Sequence, residues 1–223
     1  MPRVSRHPFR AHVADTSPHA AVMSPHAAVT SRGTEAEARI RAAIAAGQHA
    51  HALALLQAQH GRAIHRFARR MLGDDAAADD VVQETMLRAF VALGALRGDT
   101  SVRAWIMTIA AHRALDELRR RRRRRLDHDG AAVLPEVPDP RPHPAHALAR
   151  RQEIGAVAAS VDAMPDRLRA SLLLYFGHEL TFAEAGAALG ENGATTLVRV
   201  RRGLERLRRQ LQRRGVDATA LAG

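Results

Sequence analysis

The chain has no cysteine and no lysine. Without cysteine there is no disulfide framework, no thiolate metal site and no cysteine nucleophile, and a reducing, cytoplasmic setting is natural. Without lysine, all 34 basic residues are arginine, a bias that, with the abundance of alanine, reflects the base composition of the coding DNA. Arginine also suits bidentate recognition of phosphate and bases. No apolar run reaches the length of a membrane span, so no membrane insertion is expected. No stretch alternates like a half-buried strand. The 13 histidines include no His-Glu-x-x-His helix, and neither His49 with His51 nor His143 with His146 has carboxylates at ligand spacing. No catalytic residue, metal or cofactor is therefore expected.

What is present is positive charge. The 223 residues carry a net charge of +11 with an isoelectric point near 11.6, a balance that favours nucleic acid or an acidic membrane surface as partner. Residues 1–34 have little bulky apolar surface. They repeat "SPHAAV" at Ser17–Val22 and Ser24–Val29, which predicts a disordered extension. Helical periodicity sets in at Glu35: Ile64, Phe67, Ala68 and Met71 share one face, and Val82, Met86, Ala89, Phe90 and Leu93 share another. Residues 126–147 hold Pro135, Pro138, Pro140, Pro142 and Pro144, half of all the prolines, and read as a linker. Helical patterning resumes over 148–214, and 215–223 is a tail. The expected fold is all-α: two small helical domains, 35–125 and 148–214, joined by the Pro-rich linker, the second a helix-turn-helix.

Three motifs carry the functional reading. Gly73–Phe90, "GDDAAADDVVQETMLRAF", concentrates acids in a basic chain. Asp74 and Asp75 fit an N-cap and first turn, whereas Asp79, Asp80, Gln83 and Glu84 lie further along, on the face opposite Val82, Met86 and Phe90. A solvated helix face accounts for many such patches. DNA phosphate would repel this one, and a basic protein surface fits it better. Next, "RGDTS" offers Thr100 or Ser101 as N-cap to a helix whose buried side is Val102, Trp105, Ile106 and Ile109 and which runs into seven arginines, Arg119–Arg125. Trp105 fits either core packing or support beneath a DNA-facing surface. Finally, Thr181 and Glu184 form a capping box, a short helix reaches Leu189-Gly190, and after a four-residue turn a second helix starts near Ala194. That spacing is helix-turn-helix, whose second helix enters the major groove. A DNA-binding regulator that never meets polymerase would use this last motif alone.

In order, "LGDDAAADDVVQETMLRAF", "VRAWIMTIAAHRALDELRR" and "MPDRLRASLLLYFGHELTFAEAGAALG" resemble the sigma-70 family of bacterial RNA polymerase sigma factors, in its extracytoplasmic-function (ECF) group, over roughly Ala50 to Arg214. The resemblance implies that Asp79, Asp80, Gln83 and Glu84 bind the clamp helices of the largest subunit of core RNA polymerase. It implies that the segment carrying Arg97, Asp99, Ser101, Arg103, Trp105, His112, Arg113, Asp116, Arg119 and Arg120 recognises and melts the promoter -10 element. Thr181, Thr195, Thr196, Arg199 and Arg202 would dock on the -35 element. An anti-sigma factor is a further implied partner, and no bond is made or broken by the chain. Where relatives carry a basic residue and a serine, this chain has Leu197 and Val198. Either these two pack inside, with the helix rotated or begun later, or -35 readout is altered, with Thr195, Arg199 and Arg202 keeping the contacts.

Overall fold

The computed structural model describes residues 31–96, 100–127 and 155–213. The expected linker from His128 onward, the tail after Arg213, and Arg97 and Asp99 lie outside the described residues. Among those described, every regular element is helical. α1 is Ser31–Ala45, α2 His49–Leu72, α3 Asp75–Ala92 and α4 Val102–Asp127. After residues 155–162 (α5) come α6 Asp166–Leu172, α7 Phe182–Ala188 and α8 Gly193–Arg213. The first helix begins at Ser31, inside the segment expected to be a tail.

The helix ends follow local chemistry. α2 stops at Gly73, whose φ of 73° only glycine adopts freely, and whose N–H donates to the Arg69 carbonyl at 2.8 Å. Asp74 then caps α3 by accepting from the Ala76 N–H at 3.1 Å, as expected. α2 buries Leu56, Ile64, Phe67 and Met71 on one stripe, each such side chain contributing ~1.5–3 kcal/mol. The stripe of α3 departs from expectation at one position. Ala78, Val82, Met86, Ala89 and Leu93 are buried, but Phe90 is exposed; its ring meets His49 edge-on at 6.3 Å, at the start of α2 rather than in the core.

The C-terminal half packs directly on the N-terminal half, α7 lying against α4. Ala170, Leu174, Leu180, Ala185, Ala188 and Leu189 join the same buried cluster as α1 to α4. Ion pairs rim this contact: Arg103–Glu179 at 2.9 Å, Arg122–Asp166 at 2.7 Å and Arg70–Asp162 at 3.6 Å. A second cluster, Met164, Leu172, Tyr175 and Val200, is private to the C-terminal half, with Phe182 stacked on Tyr175 at 4.2 Å. Between α6 and α7 a π-helical turn, Leu173–Gly177, leads to Glu179, the one non-glycine with positive φ (54°) among the described residues.

Candidate functional site

On α3, Asp79, Asp80 and Gln83 are exposed and Glu84 is half-buried. They share this surface with two outward apolar side chains, Leu87 at 65% exposure and Val91 at 85%. A groove of about 700 Å³ runs between α3 and α4, with Asp80, Gln83, Glu84 and Leu87 on one wall and Arg113 and Arg120 on the other. Glu84 is not a lone anion. It accepts from Arg88 Nε at 2.7 Å and Arg113 Nη1 at 3.3 Å, and these bonds, the Arg88 one foremost, hold its carboxyl below the ordinary carboxylate range. Asp79 meets His65 Nε2 at 3.3 Å, so the outward negative charge of this face is carried chiefly by Asp80, with Leu87 and Val91 beside it.

α4 is anchored from two sides at its start. Ser101 occupies the N-cap and its Oγ accepts from the Ala104 N–H at 3.3 Å. Glu37 of α1 accepts from the Val102 N–H at 2.7 Å, and Arg41 beside it bonds the Thr100 carbonyl. Sequence reasoning missed this clamp, because nothing in the spacing of Glu37 points to a helix 65 residues on. Along α4, Val102, Ile106 and Met107 are buried, Trp105 is half-buried against the core, and Arg103 and His112 are exposed. Arg113 and Arg119 both pair with Asp116, and Arg120 pairs with Glu117. Arg121 reaches Glu117 at 3.0 Å, the Leu72 carbonyl at 3.1 Å and Asp74 at 3.3 Å. The first arginines of the run are thus held on a helix by carboxylates, not strung along a tail.

Two histidines are buried near the junction of the halves. His178 lies edge-on to Phe67 of α2, 5.6 Å between ring centres. Burial, with Arg66 and Arg103 nearby, lowers its pKa to about 4 against the pull of Glu179. His60 is likewise lowered to about 4, by burial and then Arg103, with Glu37 opposing. Its Nε2 has no hydrogen-bond partner, consistent with a neutral ring.

In the helix-turn-helix, the Thr181 hydroxyl and amide close the capping box on Glu184. The turn brings backbone onto Gly186, where a Cβ would stand 2.9 Å from the Asn192 carbonyl carbon and the Glu191 oxygen. α8 begins at Gly193, with Asn192 Oδ1 accepting from the Thr195 N–H at 2.8 Å. One expected site residue is overturned here. Thr196 is fully buried, its hydroxyl donating to Glu191 Oε1 at 2.8 Å, so it faces the core and not a groove. Arg199 is half-buried and donates to Glu191 Oε2 at 2.5 Å. Thr195 and Arg202 are exposed as expected, and so is Val198, while Leu197 is half-buried. Glu191 had not stood out in the sequence; an acid in a turn gives no sign that it will be enclosed by the helix after it.

Residues 56–124 match the family Sigma-70 region 2, and residues 161–216 match Sigma-70, region 4. The ECF RNA polymerase sigma factor EcfG of Rhodopseudomonas palustris is 30% identical over 146 residues, covering 65% of this chain and 76% of that protein. The chain belongs to the sigma-70 family, in its ECF group. The chain is also 31% identical over 169 residues to the ECF RNA polymerase sigma factor SigE of Mycolicibacterium smegmatis, covering 74% of the chain here but only 63% of SigE. Among solved structures it is similar to CnrH in complex with the cytosolic domain of CnrY, with a TM-score of 0.57, 27% identity, and coverage of 79% of this chain and 97% of that one. Among the described residues no helix is long and apolar enough to cross a membrane, and no group of three or more His, Asp or Glu gathers to hold a metal ion.

Proposed function

We propose that this sigma factor binds core RNA polymerase through the acidic face of α3 and directs transcription initiation at promoters, acting in the cytoplasm without catalysing a reaction of its own. Asp79, Asp80 and Gln83 would meet the clamp helices of the largest subunit, with Leu87 and Val91 supplying apolar contact and Glu84 aligned by Arg88 and Arg113. The loop before α4 and the α4 surface with Arg103, Trp105, His112, Arg119 and Arg120 would take the -10 element. α8 would take the -35 element. The observation that carries the reading is the pairing, on one domain, of an exposed acidic-apolar helix face with a neighbouring arginine-bearing helix. A regulator needing only DNA has no use for the first.

The packing of α7 on α4 adds a step. By their names the two promoter elements lie roughly 25 base pairs apart, about 85 Å of straight duplex at 3.4 Å per pair. Domains in contact cannot read both, so the C-terminal domain must leave α4 on the polymerase, releasing Arg103 from Glu179 and Arg122 from Asp166.

Run-off transcription with reconstituted holoenzyme on genomic fragments tests the proposal. Asp80→Arg is expected to abolish holoenzyme formation while the purified chain keeps its helical circular dichroism, since Asp80 is exposed. Unimpaired core binding by the folded variant would refute the α3 assignment.

A further inference from the structure

The outward face of α8 carries one exposed large apolar side chain, Val198, at 47% exposure. At 3.6 residues per turn it points away from the buried line of Thr196, Val200 and Gly203, at the middle of the solvent-facing side. Beside it stand Thr195, Arg201 and Arg202, all exposed, with Glu205 and then Arg209 two and three turns further along the same side. Arg199, which would otherwise compete for the same space, is drawn aside by Glu191, only 9% exposed at its side chain, which also holds Thr196. The first turns of the helix that follows the helix-turn-helix bend thus offer an isopropyl group with two exposed guanidinium groups, Arg201 and Arg202, one turn on. An anionic surface presenting an apolar methyl is its complement, and the major groove presents one wherever a thymine C5-methyl lies among phosphates.

Resting on the promoter-binding reading, we infer that Val198 is a specificity-determining residue of this sigma factor, packing against the C5-methyl of a thymine in the upstream promoter element. The surrounding arginines engage phosphate, and Glu191 is a positioning residue that keeps Arg199 from covering the base edge. Leu197, half-buried beside it, supports the helix and does not read DNA. The two explanations for the Leu197-Val198 pair therefore divide between the two residues.

The test uses holoenzyme and duplexes randomised in an upstream and a downstream window, the upstream window synthesised with either thymine or deoxyuridine, which lacks only the methyl. Wild-type holoenzyme should select thymine at one upstream position at least, and lose about fourfold in enrichment there with deoxyuridine. Fourfold corresponds to one methyl group at ~0.8 kcal/mol, with 1.4 kcal/mol per tenfold. Val198→Ala, at an exposed helix position where alanine is favoured, should fold and show no difference between thymine and deoxyuridine. Equal wild-type selection from both libraries overturns the inference, as does a methyl preference that survives in Val198→Ala. The downstream window reports separately: selection there without methyl dependence upstream refutes this inference alone, and no selection in either window refutes the promoter-binding reading with it.

Discussion

Lowering the pH from 7 to 5 is expected to destabilise the folded chain by about 2 kcal/mol for each of its two buried histidines. His178 and His60 have folded-state values near 4, against about 6.5 in an unfolded chain. A folded value below the unfolded one means that the unfolded state takes up the proton first. Stability is therefore unaffected above the unfolded value and is lost as the pH falls from about 6.5 toward 4. At pH 5 an unfolded imidazole is about 97% protonated and a folded one about 9%, and the ratio of the two binding polynomials gives roughly 2 kcal/mol per residue relative to pH 7. The charged groups facing His178 are Arg66, Arg103 and Glu179, and those facing His60 are Arg103 and Glu37. Arg103 is common to both, so the two losses will not add fully. Carboxylates do not confuse this window. Glu84 is lowered by its bonds from Arg88 and Arg113, and Glu117, although burial pushes it up, is lowered on balance by Arg121 and Arg120; their stabilisation is lost only as the pH drops below the ordinary carboxylate range.

Urea unfolding followed by circular dichroism at half-unit pH intervals measures the effect. His178→Phe keeps a ring against Phe67 and removes the proton site, so it should flatten the pH dependence by about 2 kcal/mol over that interval while changing stability at pH 7.5 much less. Because His178 of the C-terminal half packs on Phe67 of α2, the wild-type loss should be accompanied by separation of the halves, visible as growth in the radius of gyration before global unfolding. Parallel pH profiles for the wild type and His178→Phe would refute the assignment of a buried neutral imidazole to this contact.

Gly186→Ala should destabilise the C-terminal domain by roughly 1–3 kcal/mol, since the new Cβ meets backbone at 2.9 Å and not a yielding side-chain tip; a thermal scan showing an unchanged midpoint would contradict that close approach. Glu37→Ala should cost about 1 kcal/mol by uncapping the Val102 N–H and should speed amide exchange at the start of α4. Unaltered exchange at Val102 would mean that α1 does not hold this end.

Much of this architecture is written locally. Asp74 as a cap, the Ile64, Phe67 and Met71 stripe, and the Thr181–Glu184 box each depend on residues within a turn or two, and the sequence reports them correctly. The exposed acids of α3 were legible for the same reason. Thr196 was not, because a short-range pattern cannot tell which residue of a helix's first turn faces inward. That phase is set by Asn192 capping one turn earlier and by Glu191 folding back beneath the helix. Phe90 failed differently: its spacing from Met86 matches the core stripe, but Ala89 and Leu93 complete the core there and His49 offers a ring outside it.

The contact between α4 and α7 was beyond a local reading, yet its material was in plain view. α4 buries Ala104, Ala110, Ala111 and Ala114, and α7 buries Ala185 and Ala188, in one cluster. Helix axes approach to about 8 Å where side chains at the crossing are small, and each alanine buried adds little side-chain entropy cost. A compositional bias toward alanine, read from the sequence as a mark of the coding DNA, therefore also gives these helices faces that can approach closely. Of the charged rim, Arg103–Glu179 contributes little, because it is about half exposed on both sides and such pairs are worth ~0–1 kcal/mol. The domain contact thus combines small alanine faces and an exposed ion pair with the buried Leu174, Leu180 and Leu189 and the His178–Phe67 ring contact. The opening proposed on the polymerase must therefore offset the burial of those larger side chains, ~1.5–3 kcal/mol each.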